Sequence, residues 1–351
     1  MNLPPPPPPL LAGAQIPAGL TFATVLADFD FETYSAAGFA WDYARERWTP
    51  PAGTKERGLF AVGAACYTEH ETCEVLCLAY DLKDGLGKRR WRPGMPPPAD
   101  LFAHLAAGRL IEAFNVTFER WVWENVCTPR YGWPPLPVAQ LRCAMAKARA
   151  HALPGGLDNV GRVLDLRTKK DSDGKRLLDK FSIPRSPTAG DKRLRVLPMW
   201  TPEAAEAAAA TYRAPVDLSA RRAETVVRKH RETLLEDHAD TLRLGAYNDT
   251  DIEAEAEASY SIPDLSADEL RFWQDDQAIN KRGVRVDMAA ILDCIEIIGQ
   301  SARRYGEELR ALTGGIEPTE LKQLQGWLHG QGVHMDSMDE DAVEEALGWN
   351  L

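Results

Sequence analysis

Residues 25–34 read VLADFDFETY, and the way this stretch is read decides the fold. Alternation with period two puts Asp28, Asp30 and Glu32 on one face of a strand and Ala27, Phe29 and Phe31 on the other. A row of carboxylates on so apolar a strand is costly unless positive charge sits against it. Two readings are open. The acidic row is the exposed face of an edge strand, or it lies against a divalent metal, whose hard character suits oxygen ligands. The second reading needs further carboxylates from elsewhere in the chain.

The 351 residues are long for one domain and suggest two or three. With 44% hydrophobic and 26% charged residues, the composition is that of a soluble globular protein. Six cysteines include no CxxC pair, which argues against a structural zinc site or a disulfide framework and for a reducing compartment. No apolar run reaches the length of a membrane span. The start, MNLPPPPPPLLAG, lacks the positive residues of a signal peptide, so residues 1–20 read as a flexible, polyproline-II-like tail. A net charge of −11 argues against a general nucleic-acid-coating surface. It leaves room for an enzyme that draws a DNA end onto bound metals.

Outward from the acidic stretch, residues 58–68 and 74–80 read as two strands, antiparallel neighbours of the first, and 81–98 as a loop. A helix at 99–107, a strand at 110–114 and helices at 115–126 and 138–150 follow. Residues 151–166 read as a turn feeding a short helix. Residues 167–180 are charged, with Lys169, Lys170, Lys175, Arg176 and Lys180, and three prolines make 181–198 irregular. Residues 204–210 are helical by composition, 211–219 break the helix, and further helices are expected at 220–237 and 241–260. IPDL at 262–265 is the clearest boundary. Beyond it the pattern is all-helical. Ser266 and Glu269 form a capping box, Gly283 and Asp287 fit helix caps, and helices extend to about 312, then over 319–328 and 339–347. The apolar stripe Ile291, Ile295, Ile298 reads as helix-core packing, with a missing polymerase region as the candidate partner.

Two later clusters can supply the acids that the metal reading needs. Asn115, Phe118 and Glu119 lie in FNVTFERWVW, and Tyr247 and Asp251 are one turn apart on one helix face, with Asp249 pointing elsewhere. In this order DFET, NxxFE and YxxxD resemble the three motifs of the 3′–5′ exonuclease domain of family A DNA polymerases, most closely the phage and prophage type. MAKARAHALPGGLDNVGRVLDL, DGKRLLDKFSIPR and FWQDDQAINKRGVRVD resemble linking stretches of the same group. The last of these, with LTGGIEPTELKQLQGWLHGQGV, is similar to the start of the polymerase region that leads into the thumb. The resemblance covers most of residues 26–347. Singly the motifs are weak; together and in order they are specific.

The resemblance implies an α/β (α+β), ribonuclease H-like DnaQ-type fold: a mixed sheet flanked by helices, followed by an all-helical segment. On that basis the exonuclease domain spans 21–262, with 190–240 as a candidate insertion, and 263–351 is the thumb-like segment. Asp30, Glu32, Glu119 and Asp251 would hold two magnesium or manganese ions and, with Tyr247, form the catalytic set. On that resemblance such ions would act at the scissile phosphate, one activating a water and the other stabilising the leaving 3′ oxygen. Tyr247 would orient the water, and Thr33, Asn115 and Phe118 would bind substrate. Asp28 reads as solvated or as a supporting residue behind the ligands. Arg176, Lys180, Arg185, Arg221 and Arg228 read either as DNA-backbone contacts or as an exposed charged face.

Two features depart from the group. Glu119 stands where the superfamily usually has Asp, and residues 200–238 have no clear counterpart. No stretch can be a polymerase site, so a fragment or a naturally split protein is expected, with the palm and fingers supplied in cis or in trans. The implied substrate is a single-stranded DNA 3′ end or primer terminus, with no membrane partner, in the cytoplasm of a bacterial or phage-infected cell. Two alternatives are a catalytically silent module that supports a polymerase and an RNA-processing exonuclease of the same fold. The tryptophans Trp41, Trp48, Trp91, Trp121, Trp123 and Trp133 have no account beyond core and loop packing.

Overall fold

A computed structural model describes residues 26–168, 173–188, 191–213 and 219–348. The proline-rich tail, Val25, Lys169, Lys170 and the last three residues lie outside the described residues. The chain divides into two compact units, one up to Lys281 and one from Arg282 onward.

The first unit is built on strand β1 (Leu26–Tyr34), followed by a small hairpin of β2 (Ala40–Asp42) and β3 (Arg47–Thr49). Helix α1 (Leu59–Glu69) leads into β4 (Glu74–Asp81) and β5 (Arg89–Trp91). Then come α2 (Ala99–Ala106), β6 (Leu110–Ala113), α3 (Val116–Val122), a π-helical turn (Trp123–Cys127) and α4 (Thr128–Tyr131). Strand β7 (Leu141–Cys143) runs directly into α5 (Ala144–Ala150), followed by α6 (Leu157–Val163), α7 (Gly174–Phe181) and α8 (Pro202–Thr211). Helix α9 (Ala220–Ser261) is 42 residues long, and α10 (Ala267–Arg282) closes the unit.

Among the described residues the main sheet has five strands in the order β5-β4-β1-β6-β7. β1 pairs antiparallel with β4 and parallel with β6, β4 pairs antiparallel with β5, and β6 pairs parallel with β7. The sheet is therefore mixed, and β1 is its central strand. This corrects the edge-strand reading of the acidic row. The apolar face of β1 carries Ala27, Phe29 and Phe31 into a core with Val116, Val122 and Leu141. Trp123 and Trp133 meet at 4.6 Å between ring centroids, and Trp91 and Trp133 at 4.7 Å. Phe102 joins both tryptophans edge-on, the geometry that aligns a ring's positive rim with a neighbour's face. Three of the six unexplained tryptophans thus form the centre of the core.

Four local expectations change. Residues 59–69 are helical, broken at Gly63 by a φ of 75°, and not a strand. β4 already has a partner on each edge, and Ala61, Ala64 and Ala65 favour helix. Part of the expected loop at 81–98 forms β5. Within 138–150 the first half is a 3-10 turn and strand β7, because the open edge of β6 takes up Leu141–Cys143 before the alanine-rich helix begins. The two helices expected at 220–237 and 241–260 are one, since no Gly or Pro interrupts residues 238–240.

Helix α10 belongs with the first unit. Thr117 donates to the Gln277 side chain at 3.0 Å, Arg120 donates to the Gln277 carbonyl at 3.3 Å, and Trp273 packs on the core. The division between units thus falls past IPDL, at Lys281.

The second unit is helical: α11 (Met288–Thr313), α12 (Leu321–Gly330) and α13 (Glu340–Leu347). Asp287 and Asp339 cap α11 and α13 by accepting from Ala290 and Ala342. The stripe read as buried core is exposed, with Ile291 at 40%, Ile295 at 59% and Ile298 at 67%. Periodicity marks a face as apolar but does not say what covers it. No helix among the described residues is long and apolar enough to cross a membrane.

Candidate metal centre

The acidic face of β1 meets α9, which packs across β1 and β4. Helical spacing brings Tyr247, Asn248, Asp251 and Glu255 round to the buried side of α9. One carboxylate oxygen each from Asp30, Glu32 and Asp251 lies within 4.8 Å of the others. Glu32 and Asp251 are buried and Asp30 is half-buried. A register shift between Glu32 and Thr33 re-aims the strand at this point. An all-oxygen set at such spacing is chemically suited to a hard divalent cation. These three acids form a group that could hold a metal ion.

Two further predicted residues are brought to the same place. Glu119, buried in the first turn of α3, is hydrogen-bonded with Asp30. Two carboxyl groups can share a hydrogen bond only if one keeps a proton. Burial, reinforced by the charges of Asp30 and Glu32, pushes Glu119 well above the ordinary carboxylate range and makes it the proton holder. Tyr247 is hydrogen-bonded with Asp251, and burial and then the Asp251 charge push its phenol above its ordinary value. It therefore stays a neutral donor. Its ring lies over Gly174 at the start of α7, where a Cβ would overlap the ring carbons. Tyr247 and Ala254 border a cavity of about 910 Å³ whose other walls include Phe60, Leu157, Leu166 and Lys175.

The remaining predicted residues make their contacts with other partners. Thr33 is buried, with its hydroxyl 3.2 Å from that of Tyr67. Phe118 is half-buried, its ring 5.9 Å from that of Tyr67, and Asn115 is exposed at the start of α3. Arg176 makes hydrogen bonds of 2.9 and 2.8 Å to Asp240, and Lys180 pairs with Asp237 and Asp240 at 2.7 Å each. Arg185 pairs with Asp191 at 2.6 Å. Arg176 and Lys180 thus tie α7 to α9, and Arg185 closes the segment after α7 on itself. Arg221 and Arg228 are exposed on the first turns of α9, Arg228 pairing with Glu232 at 3.0 Å.

Sequence reasoning missed Asn248. It is fully buried and donates to the Asp30 carboxylate at 2.5 Å and to the Asp30 carbonyl at 3.3 Å. Its position three residues before Asp251 was the available signal. Also missed was a second acidic row deeper in the seam. Asp28 is not solvated: it is buried and ion-paired with Lys83, and burial pushes it up to about 7 against the pull of that lysine. Glu112, opposite Asp28 on β6, accepts from the Ser259 hydroxyl. Lys147 lies 3.7 Å from Glu112, donates to the Ser259 hydroxyl at 2.8 Å and pairs with Asp264 at 2.8 Å. Glu255 is buried between the two rows, and burial followed by the charge of Asp28 raises its pKa well above the ordinary value.

No family model matches the chain. The chain is similar to a protein named DNA polymerase from Bacillus phage SP02, at 28% identity over 292 residues. The match takes in 82% of this chain and 39% of the relative's length, so the chain spans about two fifths of that phage DNA polymerase.

Proposed function

We propose that this chain is the 3′–5′ exonuclease portion of a family A phage-type DNA polymerase, with its first unit in the ribonuclease H-like, DnaQ-type fold. On this reading it hydrolyses the 3′-terminal phosphodiester bond of single-stranded or frayed DNA, as a proofreading activity. The observation that carries the reading is the meeting of Asp30, Glu32 and Asp251 within 4.8 Å, from a strand and a helix remote in sequence. The similarity to a phage DNA polymerase gives that cluster a replicative context.

The donor set fits magnesium or manganese, as two ions held by Asp30, Glu32 and Asp251, with Glu119 beside them. Bound there, such ions supply Lewis-acid stabilisation of phosphoryl charge and a water of lowered pKa. The protein's own residues do the rest. With cations bound, Glu119 would give up the proton it shares with Asp30, because nearby positive charge favours the ionised carboxyl. Tyr247 remains protonated and, with its hydroxyl hydrogen given to Asp251, offers its oxygen as the acceptor that orients the water. The cavity beside Tyr247 takes the terminal nucleotide, its size being within the range of small-ligand sites. Thr33, Asn115 and Phe118 shape the approach. Arg221 is the remaining candidate for backbone contact, with Arg228 exposed but paired with Glu232; Arg176, Lys180 and Arg185 are engaged in ion pairs. The partners are a DNA 3′ end and a polymerase portion in cis or in trans, inside a bacterial or phage-infected cell.

The test is degradation of a 5′-labelled single-stranded DNA with magnesium or manganese against EDTA, beside an Asp30→Ala, Glu32→Ala variant. The expected result is metal-dependent laddering from the 3′ end that the variant lacks. Laddering that persists in the variant would remove the site from the reaction. Absence of both cleavage and manganese binding in the unaltered chain would favour the silent module, and activity restored by Glu119→Asp would trace the loss to that one methylene.

A further inference from the structure

The amide of Asn248 sits between two groups that fix its direction. Cys77 lies opposite Glu32 in the register of β1 and β4, so its side chain is on the acidic face of the sheet. Its thiol donates to the Asn248 carbonyl oxygen at 3.6 Å, a normal length for sulfur. Burial pushes that thiol well above its ordinary pKa, so it keeps its proton and remains a donor. With the carbonyl end engaged, the NH₂ end is left to face Asp30, where it donates to the carboxylate at 2.5 Å. The reversed amide would set its oxygen against a carboxylate oxygen and face its NH₂ to the thiol, trading two good contacts for two poor ones. Asn248 also donates to the Asp30 carbonyl, gripping both the side chain and the backbone of the same residue.

We propose that Asn248 is a positioning residue for Asp30: its oriented amide fixes the Asp30 carboxylate toward Glu32 and Asp251 and thereby sets the affinity of the site for a divalent cation. The inference rests on the metal-centre reading above. Hydrogen-bond partners of metal-ligating groups commonly contribute about 10- to 100-fold to affinity or activity. A buried neutral donor is suited to the task, since it orients a carboxylate without cancelling its charge as a lysine would.

Manganese binding to the whole chain, measured by calorimetry without DNA, tests this directly. Asn248→Ala is expected to raise the Kd for Mn²⁺ about 10-fold or more. In the cleavage assay the manganese midpoint moves by a similar factor, while the rate at saturating manganese recovers to within a few-fold of the unaltered chain. A purely structural role would lower the melting temperature and the rate together and leave the midpoint in place. Cys77→Ser keeps a donor at the carbonyl end and is expected to bind as the unaltered chain does. A Kd within twofold in Asn248→Ala would overturn the proposal. Should that variant not fold, Asn248→Ser decides by the same thresholds, and failure of both to fold would make Asn248 a core residue and also overturn it. If the unaltered chain itself binds no manganese while Asp251→Asn behaves identically, it is the metal-centre reading that fails.

Discussion

The seam between β1 and α9 has two ends that share a composition and differ in what balances their charge. At one end Asp28 and Glu112 are buried against Lys83 and Lys147, and Lys147 also grips Ser259 and Asp264 at the close of α9. Fixed cations make this end a structural clamp. At the other end Asp30 is held by hydrogen bonds with Asn248 and with Glu119, which keeps the shared proton, and Asp251 by one with Tyr247, with Glu32 beside them. A buried carboxylate paired with lysine is already neutralised. A cluster held by neutral donors keeps its charge for a bound cation. The same element pair thus builds an anchor at one end and, on the proposed reading, a metal centre at the other, and the placement of two lysines separates them.

The largest expected effect comes from attacking the cluster itself. Asp251→Asn should lower metal-dependent cleavage about 10³-fold, the scale of losing a principal electrostatic group. In EDTA its melting temperature should hold or rise, because one member of a like-charged group has been removed. Thermal melts with and without metal, beside the cleavage assay, check both. The opposite pattern is expected at the clamp. Lys147→Met should cost about 3–5 kcal/mol in a urea titration, since it strands the buried Glu112 and frees the end of α9. If Lys147→Met were neutral in stability, the contrast between the two ends would collapse.

Smaller effects sharpen the comparison. Tyr247→Phe removes only a hydroxyl and should reduce the saturated rate about 10- to 100-fold with little change in manganese Kd. Gly174→Ala should lower the rate in the same direction by pushing the Tyr247 ring aside, at a packing cost of about 1–3 kcal/mol. The smallest effect is a pH dependence at Asp28. Its pKa is raised to about 7 in the folded chain, so between about pH 4 and that value the folded state holds a proton that the unfolded state has lost. Its contribution to stability therefore falls as pH rises through this window. The stability of Asp28→Asn relative to that of the unaltered chain should rise from about pH 4 to about pH 7 and then level off, as read from melts across that range.

Several parts of the fold were legible because they depend on near neighbours in the sequence. The alternation in LADFDFETY assigns the faces of β1, Ser266 accepts from the amide of Glu269 as its spacing predicts, and Asp287 caps α11. Where tertiary competition decides, the sequence misleads. Residues 59–69 have strand-like composition, yet β4 has no edge left for them. Leu141–Cys143 have helix-favouring neighbours, yet an open edge of β6 claims them. At the site, the spacing of Tyr247 and Asp251 announced one helix face. Asn248, three residues before Asp251 on that same face, passed unread because spacing alone does not say that an asparagine meets a carboxylate from a remote strand.

The sequence by itself determined that one strand would bury phenylalanines on one side and present acids on the other, and that a late helix would present a tyrosine and an acid one turn apart. Those are consequences of the two- and 3.6-residue periods of the backbone. Only the tertiary structure decided that β1 is central, that Asp28 has a lysine, and that Asp30 has an asparagine amide. The physical reason is that a carboxylate's role is set by what surrounds it within a few ångströms. Those surroundings come from β4, β6, α3 and α9, which are remote in sequence and meet only when the sheet closes against its long helix.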